Sequence, residues 1–200
     1  MRIIVGLTGA SGAVYGLELL RALNALGGHE VHAVLSAWGR KVLRHECGVG
    51  DEEIRRLVHT LHAEDDLGAS LASGSFRCDV MAVVPCSMRT LAAVAGGLAD
   101  NLICRAADVM LKERKPLVLA VRETPLNAVH LENMLKLARL GVSIVPASPG
   151  FYHNPRSLKD MVDMMVGRIL DAMGVENELF RRWNGMPDES AAPMIERRDS

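Results

Sequence analysis

The chain has 200 residues, 49% of them hydrophobic and 24% charged, with a formal net charge of −1 at pH 7. That length suits one domain, or one domain with a tail, and the apolar content excludes intrinsic disorder, which needs low hydrophobicity and high net charge. The near-neutral balance lacks the basic footprint of a general nucleic-acid binder, and aromatics at 4% leave no base-stacking platform.

Apolar runs alternate with helical patterns along the chain, the signature of βαβ units. Residues 3–7 predict a first strand, followed by the turn Thr8-Gly9-Ala10-Ser11-Gly12. Val14, Leu17, Leu19, Leu20, Leu23 and Leu26 then recur at helical spacing until Gly27-Gly28 stops the helix. Residues 31–35 predict a second strand ending at Ser36, with a helix from about 38 to 47. Residues 80–84 form a third strand, stopped by Pro85 and followed by Cys86-Ser87-Met88. A fourth covers 117–121 and runs into Arg122-Glu123-Thr124-Pro125, and a fifth covers 142–145 and ends at Pro146. Further helices are expected at about 89–95, 101–112, 126–140 and 157–173. Strands this apolar are covered on both faces, so the expected architecture is α/β, three layers, with a mostly parallel sheet between helices.

Residues 1–174 read as the single α/β domain. From 175 to 200 the composition turns polar, which suits a frayed terminus, but Phe180 and Trp183 would be wasteful there, so the tail is expected to dock on its own or a neighbouring subunit. Cys47, Cys78, Cys86 and Cys104 lack any C-x-x-C spacing and read as small buried hydrophobes in a reducing compartment. The N-terminal apolar run is too short for a signal peptide, and no run approaches the roughly 20 apolar residues of a membrane span, so the chain reads as cytoplasmic.

In an open parallel sheet, ligands bind beyond the carboxyl ends of the strands. The Thr8–Gly12 turn opens a helix, and its N–H groups would suit an anion; a plain tight turn explains the same residues. It is neither a dinucleotide fingerprint nor a Walker loop. Ser87-Met88-Arg89-Thr90 adds a second hydroxyl-bearing helix start, and two such turns on one edge favour a phosphorylated planar ligand of mononucleotide type. Arg105, Asp108 and Lys112 at i, i+3 and i+7 project together, as a site or as a solvated salt-bridged stripe. Glu123, directly after an apolar strand, is expected to be partly desolvated, with a raised pKa suited to acid–base work; a helix-capping role is the alternative. Tyr152 sits in a proline-flanked loop at the same rim, and Arg168 on the last helix is expected to reach toward it. His59 and His62, with Glu64 close by in sequence, suggest metal ligands, but an H-x-x-H pair without a convergent third ligand is a weak signal, and no metal is expected.

Several segments, in order and over about residues 2–173, carry a resemblance. They are T-G-A-S-G-A-x-Y-G at 8–16, A-S-x-A-S-G-S-F at 69–76, P-C-S-M-x-T-L at 85–91, A-D-N-L-x-x-R-A-A-D-V-x-L-K-E at 99–113, R-E-T-P-L at 122–126, H-L-E-N-M-L at 130–135 and P-x-F-Y at 149–152. Together they resemble the UbiX-type flavin prenyltransferases. Arg181-Arg182-Trp183-Asn184-Gly185 resembles the branch of that family associated with phenolic or hydroxyarylic acid decarboxylases.

The resemblance implies a Rossmann-like flavoprotein fold, reduced FMN and dimethylallyl monophosphate as substrates, and no metal. It implies a product, prenylated FMN, that serves a UbiD-type decarboxylase, and a dodecamer built from trimers with sites between subunits. Carried over position by position, Gly9, Ala10, Ser11, Ser36, Ser87, Met88, Thr90 and Arg122 match the flavin contacts. Arg105, Lys112, Tyr152 and Arg168 match the donor-phosphate groups, and Trp183 an aromatic wall. Glu123, Ser11 and Glu46 match the catalytic set.

An FMN-dependent cysteine decarboxylase is the nearest rival, but Pro125-Leu126-Asn127 lacks the Met expected before the Asn. A non-catalytic flavin-carrying subunit would not need the phosphate and acid–base groups. A Rossmann dehydrogenase needs an acidic residue where Ser36 ends the second strand.

Overall fold

The computed structural model describes residues 1–186. In chain order the elements are β1 (Arg2–Leu7), α1 (Ala13–Leu26), β2 (Glu30–Leu35), α2 (Ala37–Cys47), α3 (Asp51–Leu57), β3 (Thr60–His62), β4 (Val80–Cys86), α4 (Met88–Gly96), α5 (Leu102–Lys112), β5 (Leu117–Val121), α6 (Ala128–Arg139), β6 (Ser143–Ile144) and α7 (Leu158–Ala172). A single 3-10 turn, Ser70–Ala72, lies between β3 and β4.

The six strands form one parallel sheet in the order β3-β2-β1-β4-β5-β6. Alternate strand residues feed opposite layers. Ile3, Val5 and Leu7 of β1 and Val80, Ala82 and Val84 of β4 pack with residues of α1, α2 and α7. Ile4, Met81, Val83 and Cys86 pack with residues of α4, α5 and α6 on the other face. Double coverage explains why these strands read as continuous apolar runs rather than alternating ones. α1 lies unusually close to the sheet at Gly16, where a Cβ would stand 2.4 Å from the Val84 carbonyl oxygen. The helix starts are sequence-encoded: Ser36, Ser87, Asn101, Asn127 and Ser157 each accept a backbone N–H at their helix's first turn.

Four elements differ from the sequence expectation. The strand expected over 80–84 is not stopped by Pro85: β4 continues to Cys86, because the register with β5 shifts after Val83 and pairing resumes at Cys86–Val121. β3 is a three-residue edge strand, too short to show a period. α3 buries only Ile54, so it has no apolar stripe; its acidic first turn and basic last turn suit the helix dipole instead. The last strand, expected over 142–145, is reduced to Ser143–Ile144 at the opposite edge. Cys78, Cys86 and Cys104 are buried and Cys47 half-buried, all as free thiols. Among the described residues, no helix is long and apolar enough to cross a membrane. The expected tail begins inside the described region, and its portion from 187 to 200 lies outside it.

Candidate active site

Strand order reverses at β1, whose neighbours β2 and β4 carry the chain to opposite edges, and the carboxyl ends of these strands define a cleft. One buried residue ties its two walls together. Thr8, 2% exposed, donates its hydroxyl to the Pro85 carbonyl at 2.6 Å and accepts the Ser87 N–H at 2.8 Å. Ser87 in turn caps α4, accepting the Thr90 N–H at 3.3 Å, with the two hydroxyls 3.1 Å apart. Ser36 caps α2 by accepting the Gly39 N–H at 2.9 Å.

The cleft measures about 450 Å³ and is lined by Thr8, Gly9, Ser36, Trp38, Ser87 and Thr90, together with Glu64, Arg89 and Asn101. A Cβ on Gly9 would stand 2.5 Å from the Trp38 Cβ, so the turn packs directly against the base of the Trp38 side chain. The volume lies in the usual range for small-ligand pockets, roughly 300–1,000 Å³. Hydroxyls at two helix N-termini and an arginine in the lining suit a ligand with an anionic end, so the residues present fit a flavin mononucleotide.

The first turn is held from two sides. The Glu46 carboxylate on α2 accepts the N–H groups of Gly12 and Ala13, both at 2.9 Å, while Gly12 adopts φ 95°. Arg122, at the end of β5, donates Nε–H to the Ser11 carbonyl at 3.1 Å. Burial pushes the Glu46 pKa up, but the Ser11 hydroxyl, the two N–H groups and Arg122 together outweigh it and hold the carboxyl below its ordinary value. Of the Thr8–Gly12 turn, Glu46 thus takes the Gly12 N–H, together with the Ala13 N–H that opens α1, and does not engage those of Gly9, Ala10 and Ser11.

Glu123 departs from expectation. It is solvent-exposed, and its carboxylate accepts only its neighbour's N–H, from Thr124 at 3.1 Å. The chain leaves the sheet at Arg122, so the apolar strand does not desolvate the residue that follows. A smaller hollow of about 260 Å³ lies beside it, lined by Arg122, Glu123, Pro125, Leu126, Met134 and Ser148 among others.

The expected phosphate-binding groups fall into two sets. On α5, Arg105 pairs with Asp108 at 2.8 Å and donates Nε–H to the Ala72 carbonyl at 3.0 Å. Lys112 pairs instead with Glu113 at 2.5 Å, so the i, i+3, i+7 stripe is divided between two partners. The second set surrounds a hollow of about 180 Å³ lined by Tyr152, His153, Arg181, Arg182 and Trp183. The Tyr152 and Trp183 rings meet edge-on with centroids 5.9 Å apart. Arg105 and Lys112 line neither this hollow nor the flavin-sized cleft. Arg168 does not line that hollow; its Nη1 donates to Asp171, the i+3 carboxylate on the same helix, at 3.1 Å.

Among the described residues, no group of three or more His, Cys, Asp or Glu side chains could hold a metal. His62 faces His32, with ring nitrogens 3.0 Å apart, and Glu64 turns into the cleft to accept the Ala37 N–H at 2.6 Å. Sequence reasoning misses the roles of Thr8, Trp38 and Glu64. Trp38 has a signal in its place just after the Ser36 cap.

The sequence pattern of the family described as Flavoprotein matches residues 1–175. A probable UbiX-like flavin prenyltransferase of Streptomyces sp. (strain D7) is 50% identical over 192 residues, covering 96% of each chain. Among solved structures, AnUbiX (PadA1), in complex with FMN and dimethylallyl pyrophosphate, superposes with a TM-score of 0.90 at 47% identity over 93% of this chain and 98% of that one. The dodecameric FMN-dependent UbiX-like decarboxylase from Escherichia coli O157:H7 gives a TM-score of 0.90 at 46% identity, over 92% of this chain and 100% of that one. The chain therefore belongs to the UbiX-like flavin prenyltransferases within the flavoprotein family.

Proposed function

We propose that the protein binds reduced FMN in the cleft between β1 and β4 and transfers to it a dimethylallyl group from dimethylallyl monophosphate. The prenylated FMN then serves a UbiD-type aromatic acid decarboxylase. One observation carries the reading: Thr8 locks two hydroxyl-bearing, helix-opening turns onto a single cleft of flavin size. Gly9, Ala10, Ser11, Ser36, Ser87, Met88, Thr90 and Arg122 hold the flavin.

The reduced flavin supplies the electron-rich ring that is alkylated. Lys112, Arg168 and the Tyr152 hydroxyl, with Arg105 nearby, hold the donor phosphate and balance its charge as the C–O bond breaks. The Trp183 face stabilises the cationic prenyl group. Glu123, with Ser11 assisting, relays to the departing phosphate the proton that the flavin nitrogen gives up on alkylation; in ring closure the proton added to the prenyl double bond is balanced by the one Glu123 accepts from the ring carbon. Glu46 contributes by fixing the Ser11 turn.

Arg105 and Lys112 stand apart from the Tyr152–Trp183 hollow, which supports a site assembled from more than one subunit. The dodecameric Escherichia coli relative supports a dodecamer, which in this reading is built from trimers. In this reading residues 1–174 are the flavin-binding domain, the tail completes the donor site, and the enzyme works in the cytoplasm.

Anaerobic incubation with FMN, a reductant and dimethylallyl monophosphate, followed by mass spectrometry of the extracted flavin, tests the reading. A mass gain of one dimethylallyl unit is expected. Bound but unmodified FMN with both monophosphate and diphosphate donors would overturn it in favour of a non-catalytic flavin carrier.

A further inference from the structure

The last helix ends in a charged knot that neither the sheet core nor the flavin cleft requires. Four N–H donors converge on the Asp171 carboxylate. Arg182 grips it with both arms, Nη2 to Oδ1 at 2.8 Å and Nη1 to Oδ2 at 2.9 Å. Asn177 Nδ2 donates to Oδ1 at 3.0 Å, and Arg168 Nη1 donates to Oδ2 at 3.1 Å.

The knot binds the segment after α7 back onto that helix. Asn177 is buried and also donates to the Gly167 and Val175 carbonyls, at 3.2 and 3.3 Å. Phe180 occupies the space beside Gly167, where a Cβ would meet its ring at 2.4 Å. The Arg182 guanidinium lies 5.3 Å from the Phe180 centroid and donates a further bond to the Asn177 carbonyl at 3.1 Å. The next residue is Trp183, edge-on to Tyr152.

Isolated surface ion pairs contribute little, but a bidentate arginine within a network fixes geometry. We propose that Asp171 is a positioning residue for the prenyl donor. Its fork with Arg182 sets Trp183 against Tyr152, and its single bond to Arg168 orients that guanidinium while leaving the remaining N–H groups free for phosphate. This rests on the reading that Tyr152, Arg168 and Trp183 hold the donor. Arg182 draws the Asp171 pKa below its ordinary value, so the carboxylate stays charged at working pH.

The test is steady-state kinetics against dimethylallyl monophosphate with the full-length protein, FMN affinity being measured separately by flavin fluorescence. Asp171→Asn keeps the shape but removes the charge; Arg182→Lys keeps the charge but removes the fork. Each is expected to raise the donor KM about tenfold, the effect of losing one charge-assisted hydrogen bond. kcat at saturating donor and FMN affinity should not change. The double variant should be no worse than the poorer single one, because both remove the same contact. Unchanged donor KM in both single variants, a parallel loss of FMN affinity, or additive effects in the double would each overturn the proposal.

Arg182→Lys alters an exposed side chain and keeps its charge, so it remains informative if Asp171→Asn fails to fold. Arg168→Lys separates the two levels. If it raises the donor KM while the Asp171 and Arg182 variants do not, the positioning role fails and the donor-site reading stands. If wild type makes no prenylated flavin, or Arg168→Lys leaves the KM unchanged, the donor-site reading itself fails.

Discussion

Replacing Thr8 by valine is nearly isosteric and isolates the tie across the cleft. The Pro85 carbonyl would keep only the longer Thr8 N–H, at 3.3 Å, and the Ser87 N–H would lose its acceptor. Losing the 2.6 Å hydroxyl bond costs about 1 kcal/mol, and leaving an inward-facing N–H unpaired costs about 1–3 kcal/mol more. For a chain of this length each kcal/mol lowers Tm by about 2–4 °C, so Thr8→Val should melt about 4–16 °C below wild type. Thr8→Ser retains both bonds and loses only a methyl group, about 1 kcal/mol. Differential scanning calorimetry of the three proteins, with and without FMN, measures both effects. The FMN-induced rise in Tm should shrink in the valine variant alone, because Ser87 opens the helix that the flavin addresses. A valine variant that melts with the serine variant and gains as much from FMN would refute the reasoning.

Glu46→Gln should lower stability by about 1 kcal/mol at neutral pH, since a charged cap at a helix N-terminus becomes a neutral one. Because the folded-state pKa of Glu46 is depressed, its contribution is present above the ordinary value of 4.5 and fades as pH falls through the lowered pKa. Urea denaturation curves of the two proteins should therefore converge in acid; a constant gap would contradict this. Glu123→Gln should slow prenylation by about 10²–10⁴ in single-turnover assays, as expected for a lost acid–base group. Its Tm and FMN affinity should stay at wild-type values, because the side chain is exposed and makes only a local contact; weakened FMN binding with normal turnover would contradict the assignment. Gly9→Ala drives a methyl group against the Trp38 Cβ at 2.5 Å. Overpacking of this kind costs about 1–3 kcal/mol, and flavin fluorescence titration should show FMN affinity falling about tenfold or more.

The layers of this fold are plain in the sequence because β1, β4 and β5 are buried on both faces and read as unbroken apolar runs. β3 and α3 are not, since one is three residues long and the other is shaped by charge around a single buried Ile54. The hydroxyl turns are legible for a similar reason: small polar residues between an apolar strand and a helical pattern have few other uses. What joins them is not. Thr8 and Ser87 are 79 positions apart, and Gly12 and Glu46 are 34 apart, so no local pattern connects either pair. Glu123 escapes the expected desolvation because strand burial does not continue past the last sheet residue. Arg168 bonds to Asp171, a carboxylate one turn further along the same helix, a pairing that residue type and rim position alone do not reveal.

Four helices start around the cleft, and their positive ends are not equivalent. α1 is met by the Glu46 carboxylate and α2 by that of Glu64, whereas α4 is met by the neutral Ser87 hydroxyl, with Arg89 beside it, and α5 by the neutral Asn101 amide oxygen. The protein's own anions thus occupy two of the four helix starts and disfavour a second negative group brought to either. A ligand charged at one end meets its favourable helix dipoles on the α4–α5 side, so the cleft tells the two ends of such a ligand apart by polarity before any shape complementarity is considered.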